Sequence, residues 1–519
     1  MIKRIGLAKP TPGWEQVLNQ ERINYDSLTT LSNLERYGVV ILSRSPVGKE
    51  KSALFEYIES GGAIITDFPI LNSLLPDFHY DRLRLRYLVP TSDNIFNNVG
   101  LIDIGQNGLA PHGSSNPTVY FEEYGKGRII ALPFDLNQSL LNTHTKPKYF
   151  YCLTQKLPYE TVAEVSKGEI RKLVINCLRV LFQQQNLYYL HLWYYPNSKL
   201  SVFTFRVDTD FSPWQNIESV IKLAQENGMS FTWFVNTKAQ ETDLAKFKKL
   251  LESEQDIQLH CYAHDVYKDY AKNYNNVGKG KELLKEVGIE PIGFAAPFGE
   301  WNENLAQVLE ELDFQYSSEF AMAYDDLPFY PIAAWRKAKV LQIPIHPICV
   351  GRLLQAELDI NQISVYFKRY INLSYQAREP IMVYDHPHRI HQFYQVFDTI
   401  IKKVKNMDRI WITNLTQFTH WWKQRETIAF NGSIEQGQLR IITPKENPNL
   451  SLHLISPTGQ EAFIPLKNGL YQLDQLAWTM MPEPIIVEEG IERIRQGEFI
   501  LQIKEFINTL DRRMKGQRS

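Results

Sequence analysis

The sequence is poor in cysteine, has almost no surplus charge of either sign, and contains no long apolar run. Its four cysteines (Cys152, Cys177, Cys261 and Cys349) are scattered without paired spacing. That excludes a disulfide framework or a zinc ribbon and leaves them as small core residues of a reducing compartment. The chain has 56 basic and 58 acidic residues, a net charge of −2, so no global field recruits nucleic acid or an anionic membrane. No apolar run approaches the ~20 residues that a membrane span requires. The opening MIKRIGLAKPTPGWEQ has basic residues with no apolar stretch behind them, unlike a secretory signal. The expectation is a cytoplasmic protein with no membrane span and no nucleic-acid partner.

What the sequence does have is length and ordinary core-forming composition. With 519 residues, 44% of them hydrophobic, two to four domains are expected. Three regions separate by pattern, giving a multidomain α/β protein. In residues 1–190, GVVILS (38–43), GAIIT (62–66) and RIIAL (128–132) read as buried strands. KEKSALFEYIES (49–60) has helical periodicity and stops at Gly61-Gly62, so the segment is a βαβ unit of a parallel sheet. The phrases EYIESGGAIITD and YGKGRIIALPFD resemble the class I glutamine amidotransferase-like fold, which implies a flavodoxin-like α/β domain. Catalytic members of that fold need a nucleophilic Cys on a tight strand-to-helix turn. Cys152 in YFYCLTQ and Cys177 within the helical EIRKLVINCLRVLF lack the glycines of such a turn. The module therefore reads as non-catalytic, an oligomerisation surface or a lid, with a homo-oligomer as the expected partner state.

YYLHLWYYPNSK (188–199) reads as an aromatic connector with a Pro-Asn turn. Residues 195–425 then alternate strand and helix. The strands are expected at 201–206, 230–235, 257–261, 292–296, 381–385 and 409–413, which argues for a closed or nearly closed β/α barrel. From 426 to 519 apolar and polar residues alternate between Gly, Pro and Asn turns, as in a small β-sandwich. The charged IKEFINTLDRRMKGQRS is expected to close the chain as a short helix and tail.

Polar groups stand at the ends of four expected barrel strands, where β/α barrels keep their chemistry. Arg206-Val207-Asp208-Thr209-Asp210 follows the first strand, and two carboxylates so close repel unless a cation or proton intervenes. His260 and His264, in HCYAH, have the spacing that lets two imidazoles converge on one ion. Phe298 follows Pro297 in AAPFG, where a backbone N–H is free to meet an oxyanion. His386, in DHPHR, is a candidate general acid. Taken singly, each has a bland reading: a helix-capping acid, surface histidines, a Pro-Gly turn, a loop histidine. The four in this order are specific as a set.

The order Asp-x-Asp, His-x3-His, Pro-Phe-Gly and His-Pro resembles the polysaccharide deacetylases (carbohydrate esterase family 4), in the branch whose first motif is Asp-x-Asp. The resemblance covers about 230 residues. It implies a distorted β/α barrel of the polysaccharide deacetylase type and a divalent metal, zinc first, with cobalt or manganese as alternatives. By the same resemblance Asp210, His260 and His264 are the metal ligands, and Asp208 is the base toward a metal-bound water. Phe298 supplies the oxyanion N–H, and His386 protonates the departing amine. The implied reaction removes an acetyl or similar acyl group from an N-acetylated sugar, a glycan precursor or another acylated small molecule. One departure stands out: the family's usual Arg two residues before the motif proline is Ala295 here. Arg206 is the candidate to replace it, and Trp335 and Arg336 are candidates for a substrate-side wall. A cyclic-amide hydrolase of the imidase or allantoinase kind, or an inactive carbohydrate-binding barrel, are the alternatives.

Overall fold

The computed structural model describes residues 2–485 apart from 154 and 334, together with residue 487. The closing segment from 488, where the sequence suggests a helix and tail, lies outside the described residues.

The N-terminal region is built on a six-stranded sheet. Arg4–Ala8 pairs in parallel with both Tyr25–Leu28 and Tyr37–Leu42, and Ala63–Asp67 and Gly127–Leu132 extend the parallel array. Tyr120–Tyr124 joins antiparallel at the edge. Tyr37–Leu42 is buried along its whole length, as a central parallel strand covered on both faces must be. The helix Lys167–Gln184 packs on this sheet with Cys177 fully buried, so that thiol is a core residue.

The central region is an eight-stranded, all-parallel sheet that curls without closing. Its path runs Leu341–Gln342, Tyr316–Ser317, Gly293–Phe294, Asp256–Cys261, Thr232–Asn236, Ser201–Asp208, Ile381–Asp385, and Ile410–Ile412 also pairs with Ser201–Asp208. Among the described residues no ladder joins Leu341–Gln342 back to Ile381–Asp385. The closed or nearly closed barrel expected from the alternation is therefore an open half-barrel. The reason lies in its far side: three strands there are two residues long, and the chain from 343 to 380 spends itself on the helices Val350–Gln355 and Ile360–Gln376. Such strands have too few ladder bonds to complete a ring.

The C-terminal region holds a four-stranded sheet and a three-stranded one, sharing an apolar cluster that includes Leu439, Ile441, Leu452, Leu454 and Ile464. The segment read as a connector is part of it. Tyr189–Leu192 pairs antiparallel with Asn447–Ile455, because its aromatic and leucine side chains fill the cluster between the regions.

Candidate metal and active site

The carboxyl ends of three neighbouring strands meet in register, with Val207 opposite Asp385 and Asp208 opposite Phe234. Ser201–Asp208 alternates faces, so Arg206 and Asp208 point the same way. The Arg206 guanidinium grips Asp208 with two bonds, Nε to Oδ1 and Nη2 to Oδ2, both 2.7 Å. Its Nη1 donates to the Ser318 carbonyl at 2.6 Å, and the rings of Phe234 and Tyr384 lie 5.0 and 5.4 Å from it. Arg206 thus fixes the orientation of Asp208. Burial pushes the Asp208 carboxyl up, but the Arg206 charge and its hydrogen bonds outweigh this and hold it below the ordinary range.

The strand ends at Asp208, and the chain then turns through Asp210 at φ 42°. Thr209 fixes this turn, donating its N–H to Phe234 O and accepting the Asn236 N–H on Oγ1. Asp210 Oδ1 then lies 3.2 Å from His260 Nε2 and 3.1 Å from His264 Nε2. His260 Nδ1 donates to the Ala295 carbonyl at 2.7 Å across the neighbouring strand. That bond places the ring proton on Nδ1 and leaves the Nε2 lone pair facing Asp210. His264 is set by Asn276, whose side chain accepts from Ala263 N and donates to the carbonyls of Ala263 and Asp265. One carboxylate oxygen and two imidazole nitrogens within 4.8 Å of one another fit a divalent cation with positions left open.

His386 caps the helix Pro387–Gln392, with Nε2 3.1 Å from Asp210 Oδ2. Arg389 Nη1 donates to His386 Nδ1 at 3.0 Å, which leaves the neutral ring's proton on Nε2. Behind it, fully buried Asp385 accepts the N–H groups of Val350 and His386. Phe298 sits at φ 58° in the Pro297–Gly299 turn, and a Cβ on Gly299 would come within 2.4 Å of the Phe320 ring. Only glycine lets this turn approach so closely.

Six of the expected residues, Asp208, Asp210, His260, His264, Phe298 and His386, line one pocket, and Arg206 joins them. Trp335 and Arg336 do not. Trp335 is fully exposed at the tip of the Ile332–Lys337 hairpin, and Arg336 pairs with Glu310 on that hairpin's outer side. The hairpin that bears them contributes no residue to the lining of this pocket.

Several residues of the site escaped the sequence reading. Glu160 reaches the pocket from the N-terminal region, on the hairpin of Thr145–Lys148 and Glu160–Ala163, and pairs with Arg352 at 2.5 Å. Nothing local in the sequence marks it, since it precedes the barrel. Buried Glu319 accepts the Ala296 N–H, and burial lifts its carboxyl to about 7. Arg389 was visible three residues after His386, one helical turn on.

Residues 196–317 match the family model of polysaccharide deacetylases. This part of the chain is a polysaccharide deacetylase domain. The match covers Asp208, Asp210, His260, His264 and Phe298 and stops before His386, and it places the domain among hydrolases of carbon–nitrogen bonds. No curated protein matches the chain. Solved structures resemble the deacetylase half of the molecule. A protein described as a polysaccharide deacetylase from Mycobacterium smegmatis is 17% identical, over 45% of this chain and 94% of its own, with a TM-score of 0.39. One from Pseudomonas aeruginosa PAO1 is 16% identical over 44% and 92%, with a TM-score of 0.38. Puue allantoinase is 15% identical over 44% and 93%, also at 0.38.

Proposed function

We propose that the deacetylase domain is a metal-dependent hydrolase that removes an acetyl or similar acyl group from an N-acetylated sugar or glycan precursor. The observation that carries this reading is the convergence of Asp210 Oδ1 with the two Nε2 atoms of His260 and His264, one of them fixed as a lone-pair donor by the Ala295 carbonyl. These three residues would hold the cation, with zinc the best fit to mixed imidazole and carboxylate ligands and cobalt or manganese the alternatives. A bound divalent cation supplies Lewis acidity toward water and the acyl oxygen.

The chain's own residues supply the rest. Asp208, kept ionised and oriented by Arg206, accepts the proton of the attacking water. The Phe298 N–H donates to the acyl oxygen as it gains charge. Protonated His386 gives a proton to the departing amine and returns to the neutral ring. Assembly into a homo-oligomer through the N-terminal region belongs to the same proposal and is read from the solution mass of the full chain.

Elemental analysis of the purified protein tests the reading, beside Asp210→Asn and His264→Ala. Near-stoichiometric zinc, cobalt or manganese in the wild type, lost in both variants, is the expected result. A protein that stays metal-free after reconstitution overturns it and favours a metal-free cyclic-amide hydrolase or an inactive barrel.

A further inference from the structure

Besides Arg206, which is taken up by Asp208, two arginines line the pocket, and their surroundings differ. Arg352 is already matched: its Nε donates to Glu160 Oε2 at 2.5 Å and its Nη1 to Gln355 Oε1 at 3.1 Å. Arg389 is not. Its Nη1 serves His386 Nδ1 at 3.0 Å and Cys349 Sγ at 3.5 Å. Among the described residues its Nε and Nη2 have no hydrogen-bond partner. The carboxylate nearest to it, Asp385, stands 3.9 Å away and is spent on two backbone N–H groups.

The position of Arg389 is also built. Its guanidinium lies against Gly351, where a Cβ would come within 2.4 Å of Cζ and 2.7 Å of both terminal nitrogens. The glycine clears the place the guanidinium occupies. A guanidinium stays charged at any ordinary pH and offers a planar fork that fits a carboxylate or phosphate through two parallel bonds. Donors left without acceptors in a recess partly shut off from water favour a ligand that brings them.

We propose that the pocket binds an N-acylated substrate that carries an acidic group, carboxylate or phosphate, and that Arg389 grips this group through Nε and Nη2. Because Arg389 touches His386, the acidic group lies near the departing amine, not at the far end of the substrate. Glu160, supplied by the N-terminal region, neutralises Arg352 and limits how strongly the pocket attracts anions. The acyl half of this inference rests on the hydrolase reading above; the anion half does not.

Calorimetric titration of the zinc-reconstituted full-length protein tests it without requiring turnover. The probes are N-acetylglucosamine, N-acetylmuramic acid for the carboxylate and a phosphorylated N-acetylglucosamine for the phosphate. An acidic probe is expected to bind about tenfold more tightly than the neutral one, the scale of one charge-assisted bond. The tighter of the two acidic probes identifies the source of the charge. Arg389→Gln is expected to abolish the preference, and Glu160→Gln to strengthen it, since Arg352 is then unmatched. Gly351→Ala, which keeps the charge but displaces the guanidinium, gives the same loss if Arg389→Gln does not fold. Equal affinity for neutral and acidic probes, no binding of any probe, or a preference that survives Arg389→Gln overturns the inference. Acetate release alongside equal affinities leaves the hydrolase reading standing without it. Preferential binding without acetate release leaves the inference standing and removes the hydrolase.

Discussion

Arg206 and Asp208 are two residues apart on a strand, and that spacing decides their relationship. Alternation puts residues i and i+2 on one face, where the guanidinium meets the carboxylate through two bonds between two aromatic rings. The pair is buried, so breaking it strands a charge. Arg206→Met is expected to cost about 3–5 kcal/mol of stability, read from denaturant unfolding. It also removes the influence that holds the Asp208 carboxyl low. Since Asp208 must be ionised to accept a proton, the acid limb of the kcat/KM profile is expected to move to higher pH. An unmoved limb would show that Asp208 is not the base. Arg206→Lys, a point charge without the fork, is expected to lie between the two.

Elements carry the site through their ends. The turn Pro297–Gly299 is held close to Phe320, with Gly299 at φ 62°. Gly299→Ala adds a methyl against the ring in a strained backbone, and overpacking of this kind costs about 1–3 kcal/mol. The turn carries Phe298, so the variant is expected to lose kcat with its metal content unchanged. A variant that instead loses metal would place the turn's role in the ligand set. The elements on this side of the sheet were also the hardest to read. Tyr316–Ser317 and Leu341–Gln342 are too short for alternation to show, whereas Gly293–Phe294 falls within the strand expected at 292–296. The helix Ile360–Gln376, though it carries a capping box from Asp359 and Gln362, lies in a stretch left unassigned from the sequence.

At the scale of the whole molecule a buried polar chain crosses all three regions. Glu21 of the N-terminal region accepts from Tyr189 and Tyr194, and the Glu21 carbonyl meets His191 Nδ1 at 3.1 Å. His191 Nε2 meets His453 Nδ1 at 2.9 Å, and His453 Nε2 meets Glu461 at 2.8 Å. Glu461 in turn pairs with Arg378, which follows the central-region helix Ile360–Gln376. The regions are thus coupled through buried hydrogen bonds and ion pairs, in which deleting one partner leaves the other buried and unmatched. Glu461→Leu strands Arg378 and is expected to cost about 3–5 kcal/mol. Calorimetry of the wild type is expected to give one transition across the described regions; separate transitions for the three would contradict the coupling. Among the described residues no helix is long and apolar enough to cross a membrane.

The sequence alone determined what local chemistry and periodicity encode. Buried parallel strands are continuous apolar runs, amphipathic helices repeat every 3.6 residues, and ligand-type residues stood at successive strand ends in a recognisable order. It therefore singled out Asp208, Asp210, His260, His264, Phe298 and His386, which the fold gathers around one pocket. Only the tertiary structure decided what depends on distant segments meeting. It placed Tyr189–Leu192 in the C-terminal sheet, brought Glu160 to the pocket from outside the barrel, left the barrel open, and left Trp335 and Arg336 out of the pocket lining. The physical reason is the same in each case. Pairing, burial and approach between residues far apart in sequence are set by how whole surfaces pack, and no window of the chain contains both partners.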